Sequence, residues 1–182
     1  LYQTLIETTS INNPFKTYIK KIFKIITLVT VLIATVSITN AQNSIYSSDK
    51  ENVVAVMKLY KDAIQNLTTE GTFELFAPDA TIFEQGKIEG TYDEYISHHL
   101  GPELEHFKSF TFSDYEIQTT INLPFAFTTE NYLYTIVLKG NETKDTEERI
   151  IQSRGVATSI LQKIGEEWKI IHSHTSFKKI KI

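Results

Sequence analysis

Residues 168–176 read Trp-Lys-Ile-Ile-His-Ser-His-Thr-Ser. In a β-strand alternate side chains point to the same face, so this stretch is expected to carry five on one side: Trp168, Ile170, His172, His174 and Ser176. An apolar stripe that continues into two histidines and a hydroxyl is typical of a core strand that enters a polar pocket. The stretch therefore predicts a strand and the position of a site, and it leaves the chemistry open.

The N-terminal segment has the pattern of a secretory signal. Four lysines before residue 25 precede an uncharged run over 25–38, and Thr39-Asn40-Ala41-Gln42 supplies small residues around a cut after Ala41. The apolar run is shorter than the roughly 20 residues that a membrane-spanning helix needs. We therefore expect residues 1–41 to be a cleaved signal peptide and the mature protein to be exported, periplasmic or secreted, without a stable membrane span. Without cleavage the segment would be a membrane anchor.

Residues 49–182 have the size of one folded domain, which a short Asn/Ser-rich linker at 42–48 joins to the signal. The chain has no cysteine, so packing rather than disulfide bonds must stabilise the domain. Residues 42–182 hold 14 of the 18 Lys and Arg residues but 21 of the 22 Asp and Glu residues. Because phosphate binding needs a basic surface, this acidic balance argues against nucleic acid as a partner.

Two helices are predicted in the first half of the domain, each from a capping-box pattern. Ser48 with Glu51 opens the first, whose apolar positions recur at helical spacing: Val53, Val56, Met57, Tyr60, Ile64 and Leu67. Thr91 with Glu94 opens the second, whose inward stripe is Tyr92, Tyr95, Ile96, His99 and Leu100. Gly101-Pro102 is expected to end this helix.

The order of the remaining elements predicts an α+β fold. A short helix is expected over 70–76, and a first strand over 79–84 ends in a turn at 85–87. From residue 107 the composition becomes rich in Phe, Tyr, Thr, Ile and Val, as in strands. Four long strands are predicted, over 108–120, 125–139, 148–163 and 167–177. Helices first and strands after them favour an antiparallel sheet with the helices on one face.

Several short motifs, taken with this order of elements, connect the chain with a known family. They are Phe76-Ala77-Pro78-Asp79-Ala80, Phe83-Glu84-Gln85-Gly86, Gly90 and the ending at 168–176. Over residues 50–178 the chain resembles the nuclear transport factor 2-like superfamily, and within it the SnoaL-like proteins of unknown function. The resemblance implies a cone-shaped, cystatin-like fold, in which a strongly curved antiparallel sheet wraps around N-terminal helices. It also implies a pocket open at one end and homodimers formed through the outer sheet face.

The superfamily includes isomerases, dehydratases, cyclases, ligand-binding proteins and non-enzymatic assembly modules, so the fold alone does not give the function. Ketosteroid isomerases use an Asp base together with a Tyr and a protonated Asp as hydrogen-bond donors. In this sequence only Tyr60, on the first helix, stands where such a phenolic donor is expected. This departure argues against isomerisation of the steroid type.

Polar side chains that point inward define the candidate site. His172 and His174 lie two residues apart on the last strand, about 7 Å apart along the chain. His99 belongs to the inward stripe of its helix, and Glu84 shares strand parity with Ile82. The predicted catalytic residues are Glu84, His172 and His174, and the predicted ligand-pocket residues are Tyr60, Tyr95, His99, Glu103, Arg154, Trp168 and Ser176.

Three functions are compatible with these residues. A Glu and a His in a mostly apolar pocket can move a proton on a small apolar or amphipathic ligand, as in isomerase, dehydratase or cyclase chemistry. His99, His172 and His174 with a carboxylate could instead hold zinc, copper or iron. Alternatively, the histidines are satisfied core residues of a non-catalytic dimeric interaction module. We expect no cofactor, and the sequence leaves open whether the chain is an enzyme.

Overall fold

The computed structural model describes residues 14–140 and 147–181, with the side chains of 14–17 and 29–45 left out. The chain separates into two compact units, Leu1–Ile45 and Tyr46–Ile182. In the first unit the described residues are helical and carry exposed apolar side chains such as Tyr18, Phe23 and Leu28. Within the described part of the chain no helix is both long and apolar enough to cross a membrane. Of the predicted signal peptide, residues 1–41, the first 13 lie outside the described residues.

Helix α1 runs from Pro14 to Gln65. Ser48 therefore lies inside the helix, and the capping box predicted there is wrong; Ser47 Oγ instead donates a hydrogen bond to Glu51 Oε1 at 3.3 Å. The apolar stripe predicted for this region is buried at Val53, Met57 and Ile64. In the second unit α1 therefore supplies one side of the hydrophobic core.

In the described part of the chain, the elements after α1 follow in the order 3₁₀-turn Phe73–Leu75, β1 Phe76–Glu84, β2 Lys87–Thr91, α2 Tyr92–Tyr95, π-helix Ile96–Leu100, α3 Gly101–His106, β3 Phe107–Asn122, β4 Phe125–Leu138, β5 Arg149–Ile164 and β6 Glu167–Lys179. The four long strands agree with the prediction to within a few residues. Strand β2 is missing from the prediction, and the helix expected over 70–76 is only a 3₁₀-turn because Phe76 already belongs to β1. Part of the β4–β5 connection, residues 141–146, lies outside the described residues.

The six strands form one curved, open sheet in the order β2-β1-β6-β5-β4-β3. Neighbouring strands are antiparallel except β1 and β6, which run parallel. Buried side chains of α1, of α2 with the π-helix, and of the inner sheet face form a single core cluster. The predicted α+β class is therefore confirmed, and the sheet is mixed because the first and last strands pair in parallel.

A β-bulge interrupts strand β6. On the β5 side Leu161 pairs with Ile170 and Ile160 pairs with His172, so Ile171 has no partner in β5. The register between β1 and β6 also shifts at this level. One extra residue in a strand reverses the side-chain alternation beyond it. In β6, even-numbered residues such as Trp168 therefore face the core before the bulge, and odd-numbered residues such as Ser173 face it after the bulge.

The bulge moves both histidines of β6 to the outer face. Trp168 is buried before the bulge, and Ser173 is buried after it, whereas His174 is exposed. The prediction that Trp168, His172, His174 and Ser176 share one face is therefore wrong. The error has a physical cause: a strict two-residue alternation leaves no place for the unpaired residue Ile171.

Candidate functional site

Glu84 and Tyr95 are joined by the central hydrogen bond of the site. Strand alternation turns Glu84 to the same side as buried Ile82, as predicted. The predicted capping box fixes the start of α2, because the Thr91 side chain accepts from Glu94 N and the Glu94 carboxylate accepts from Thr91 N at 2.7 Å. Tyr95 then lies where its hydroxyl donates a hydrogen bond to Glu84 Oε2 at 2.7 Å.

The π-helix brings His99 to the same carboxylate. Its wide turn is closed by the Gly101 N–H, which donates to the Ile96 carbonyl; a side chain at Gly101 would lie 2.6 Å from that oxygen. Pro102 follows in the first turn of α3, where the missing backbone N–H of proline does not break a helical hydrogen bond. The helical segment therefore continues through Gly101-Pro102, and the prediction that it ends there is wrong. As a result His99 Nε2 lies 3.9 Å from Glu84 Oε2.

Two further carboxylates surround His99. Its Nδ1 lies 3.2 Å from Glu89 Oε2, and its Nε2 lies 3.4 Å from Glu103 Oε1. The Glu89 side chain is only 6% exposed and also pairs with Lys87 Nζ at 3.1 Å. Burial acts to raise the pKa of Glu89, but the hydrogen bonds from Lys87 and His99 outweigh it and hold the pKa below its usual value. Glu89 is therefore a fixed negative charge beside the imidazole.

Glu103 has the opposite environment. Burial raises the pKa of its carboxyl, and the negative charge of Glu84 adds to this effect against the opposing influence of His99. Its side chain is 53% exposed, so it connects the group to solvent. Glu84, Glu89, Tyr95, His99 and Glu103 together are called the Glu–His cluster below.

The described residues contain no group of three or more His, Cys, Asp or Glu side chains arranged to hold a metal ion. In particular, His99 lies in the Glu–His cluster, while His172 and His174 lie on the outer face of β6. The ligand set considered from the sequence is therefore not brought together.

The Glu–His cluster contains one buried phenol, Tyr95, and a second, Tyr60, lies in the adjoining interior. Burial, followed by the neighbouring Tyr60 and Glu84, raises the pKa of Tyr95 well above its usual value. Burial, with Tyr92 and Glu84 next, does the same to the pKa of Tyr60. Both hydroxyls are therefore neutral at physiological pH, and they can donate hydrogen bonds but not act as bases.

A second inward carboxylate, Glu130 of β4, is absent from the sequence prediction. It is 8% exposed, and Tyr115 OH donates a hydrogen bond to its Oε2 at 2.7 Å. Burial raises the pKa of Glu130 against the opposing effect of that hydrogen bond. A signal was available, since Glu130 shares strand parity with the apolar or aromatic residues Ala126, Tyr132 and Tyr134.

A cavity of about 50 Å³ lies beside Glu130 between α1 and the sheet, with Tyr60, Tyr132 and Ser173 among its lining residues. Ligand pockets commonly have volumes of roughly 300–1,000 Å³, so this interior is nearly filled. A wider groove of about 580 Å³ runs past Leu67 and Pro102 and contains none of the predicted site residues.

The remaining predicted site residues lie elsewhere in the structure. His172 Nδ1 is 2.9 Å from Thr81 Oγ1, and the rings of His172 and His174 are 5.2 and 6.3 Å from the Phe83 ring. Ser176 is partly exposed beside exposed Val156, and Arg154 is exposed on β5. Trp168 belongs to the core.

Of the predicted site residues, the structure thus brings four together, with Tyr60 in the adjoining interior: Glu84, Tyr95, His99 and Glu103.

Solved structures share this fold. One is a nuclear transport factor 2-like superfamily protein from Salmonella enterica serovar Typhimurium, with 16% identity, a TM-score of 0.59, and coverage of 75% of this chain and 94% of that chain. A candidate ketosteroid isomerase from Shewanella frigidimarina has 27% identity, a TM-score of 0.56, and coverage of 67% and 92%. A candidate dehydratase of the same fold family from Streptomyces avermitilis has 12% identity, a TM-score of 0.61, and coverage of 72% and 97%.

Sequence comparison gives a family. No curated protein sequence matches the chain. The model of the SnoaL-like domain matches residues 53–179, which include every strand of the sheet and the Glu–His cluster. This chain therefore belongs to the SnoaL-like family and has the nuclear transport factor 2-like fold.

Proposed function

We propose that this protein binds a small molecule inside the cone and transfers a proton on it at Glu84. The observation that carries the proposal is the hydrogen bond from Tyr95 OH to Glu84 Oε2, with His99 Nε2 3.9 Å from the same oxygen. Among the described residues nothing donates a hydrogen bond to Glu84 Oε1. That oxygen is therefore available to a proton of the ligand, while Tyr95 fixes the orientation of the carboxylate.

The reaction type that fits this arrangement is isomerisation through an enolate. Glu84 removes a proton from the carbon next to a carbonyl, the C–H electron pair moves into the enolate, and the same carboxyl returns the proton to another carbon. The neutral phenol of Tyr60 is the candidate donor to the developing oxyanion. No oxidant or reductant is needed. Because the interior cavity is small, binding requires side chains around the Glu–His cluster to move apart.

The relatives support proton transfer as the chemistry. The Shewanella protein is named as a candidate ketosteroid isomerase, and the Streptomyces protein as a candidate dehydratase. Both names describe reactions in which a base removes a proton from carbon. Of the histidines predicted for the site, we propose that His99 rather than His172 or His174 assists Glu84 in moving the proton. Of these three, His99 is the one that lies beside an inward carboxylate.

The test uses cyclohex-3-en-1-one, whose conversion to the conjugated enone is followed by ultraviolet absorbance. We expect the wild type to accelerate the conversion and Glu84→Gln to reduce the rate about 100-fold or more, since a positioned base contributes at least that factor. Glu116→Gln is the matched control, because Glu116 is an exposed carboxylate on β3. A wild-type rate equal to that of buffer, or a Glu84→Gln variant as fast as wild type, would contradict the proposal.

A non-catalytic homodimer is the second candidate function. It is favoured by exposed apolar side chains on the sheet strands β4 and β5: Phe127, Ile150 and Val156. Sedimentation equilibrium of the wild type and of Val156→Lys tests it. A wild-type dimer that dissociates in the variant supports this function, and a wild-type monomer at 100 µM rules it out.

Export is a separate proposal, which rests on the basic and apolar pattern before residue 42. Intact-mass analysis of protein recovered from the periplasm of an expressing bacterium tests it. We expect an N-terminus at Gln42. Recovery of the chain only from the cytoplasm, with residues 1–41 still attached, would contradict export.

A further inference from the structure

Glu130 has no role in the proton transfer proposed above, and its environment is unusual for a carboxylate. One oxygen, Oε2, accepts a hydrogen bond from Tyr115 OH at 2.7 Å. The other, Oε1, is buried without a hydrogen-bond partner in the described part of the chain. Since an unpartnered buried charge is strongly unfavourable, this oxygen requires either a proton or a cation.

Three aromatic rings stand beside this carboxylate in the walls of the 50 Å³ cavity. The rings of Tyr115 and Tyr132 are inclined by 21° with centroids 6.3 Å apart, and the Phe112 ring stands at 84° to that of Tyr132 at 5.1 Å. Faces of aromatic rings attract cations. A buried carboxylate beside such rings is a combination suited to an organic ammonium group.

One lysine already uses two of these rings. Lys61 Nζ lies 5.6 Å from the ring centroids of both Phe112 and Tyr115 at the edge of the cavity. It forms its ion pair with Asp62 at 2.5 Å, and within the described residues no ion pair joins it to Glu130. The rings thus bind a cationic side chain in the structure itself, while the buried carboxylate keeps an unpartnered oxygen.

The charges of the interior favour the same kind of ligand. Glu84 and Glu130 both point inward, whereas Arg154 is exposed on the outer side of β5. The titratable groups lining the cavity around Glu130 are Tyr60 and Lys61 from α1, Tyr115 from β3 and Tyr132 from β4. Three of these four are neutral phenols, and the lysine is already paired. A positive ligand group would therefore meet more attraction than repulsion in this cavity.

The volume limits the size of the group. At roughly 10–15 Å³ for each water-sized group, the cavity has room for about four such groups. Ser159 and Ser173, whose hydroxyls lie 3.3 Å apart, supply polar atoms on the sheet side. Methylammonium and ethylammonium fit this limit, and so does the terminal ammonium of a longer amine whose remainder extends past Lys61.

We propose that this cavity binds the ammonium group of a small amine, which donates a hydrogen bond to Glu130 Oε1 and contacts the faces of Tyr115 and Tyr132. The site is distinct from the Glu–His cluster, and it does not depend on the proton transfer proposed for Glu84. Tyr60, the candidate oxyanion donor named above, also lines this cavity.

The experiment titrates the full chain with ethylammonium chloride, and with ethanol as a neutral ligand of matched size, by nuclear magnetic resonance at constant ionic strength. We expect saturable binding of ethylammonium, at least about tenfold tighter than that of ethanol. Glu130→Gln keeps the shape of the side chain and should weaken ethylammonium binding about tenfold or more. Tyr132→Leu should weaken it as well, and Glu116→Gln, at an exposed carboxylate on β3, should leave it unchanged.

The pH dependence separates a carboxylate site from a carboxylic-acid site. If ethylammonium binds the charged form of Glu130, its affinity rises with pH until Glu130 is fully ionised. Ethanol binding that is equal or tighter, or that strengthens as the pH falls, would mean that protonated Glu130 serves a neutral ligand and would overturn the proposal. Unchanged ethylammonium affinity in Glu130→Gln, with the variant shown to be folded by circular dichroism, would overturn it too.

Discussion

Trp168 and Asp49 are joined by a buried hydrogen bond, in which the indole Nε1 donates to Asp49 Oδ1 at 3.1 Å. Lys163 Nζ donates to the same oxygen at 2.7 Å. Asp49 is 2% exposed. A single carboxylate oxygen therefore attaches helix α1 to both strands of the β5–β6 hairpin. These two hydrogen bonds, together with the one from Phe112 N to Gln65 Oε1, hold the helix of the second unit against the sheet.

Asp49→Ala should destabilise the protein by about 2–4 kcal/mol, because it removes two charge-assisted or buried hydrogen bonds and leaves the indole N–H unsatisfied. Urea unfolding followed by fluorescence measures the loss, and Trp168 is the only tryptophan in the chain. Asp62→Ala is the control, since the exposed Asp62–Lys61 pair should contribute at most about 1 kcal/mol. Equal effects of the two substitutions would show that the contacts of Asp49 do not support the fold.

Glu130→Gln should make the protein more stable at neutral pH. Burial raises the pKa of Glu130 in the folded state above its unfolded value, so the folded state binds more protons and wild-type stability falls as the pH rises from about 4.5. Glutamine has no such proton to lose. The stability difference between variant and wild type should therefore be largest at pH 7 and shrink below pH 4.5. Urea midpoints at pH 4, 5.5 and 7 measure it, and a difference that is constant with pH would contradict the assignment.

Gly155→Ala should destabilise the sheet because Gly155 pairs with Tyr132 and its surface is covered by that ring. A Cβ at this position would overlap the ring, with Cζ only 2.8 Å away. Overpacking of this kind costs about 1–3 kcal/mol. The double variant Gly155→Ala/Tyr132→Leu should recover most of the loss in urea unfolding, because leucine leaves room for the added methyl group. Thr158→Ala, an exposed position on the same strand, is the control.

The long strands and the apolar face of α1 were predictable because hydrophobic periodicity and strand composition extend over many residues. The face of the sheet to which His172 and His174 point was not predictable in this way. Trp168 and Ile170 follow the two-residue alternation, but Ile170 and Ile171 are consecutive apolar residues, and the bulge at Ile171 reverses the parity of His172. Nothing in a regular alternation marks where a strand takes an extra residue.

The Glu–His cluster was predictable in part for similar reasons. Glu84 and Tyr95 follow strand and helix parity, and the Thr91 capping box sets the helix start as predicted. Glu89 escaped prediction because it lies on β2, a strand of only five residues. The helical segment continues past Gly101 because the carbonyl of Ile96 accepts a hydrogen bond five residues on, a contact that standard helix-end signals do not include.

The parallel pairing of β1 with β6 has a consequence for how the chain folds. Phe76 lies beside Ile170, and Thr81 beside His172, so the β1–β2 hairpin gains its place in the sheet only through the final segment of the chain. Contacts between residues so distant in sequence slow folding. During synthesis the β1–β2 hairpin, which carries Glu84 and Glu89, therefore keeps an unpaired strand edge until β6 has emerged from the ribosome. Removal of β6 would therefore leave β1 and its Glu84 without their place in the sheet, although every residue of the Glu–His cluster precedes β6.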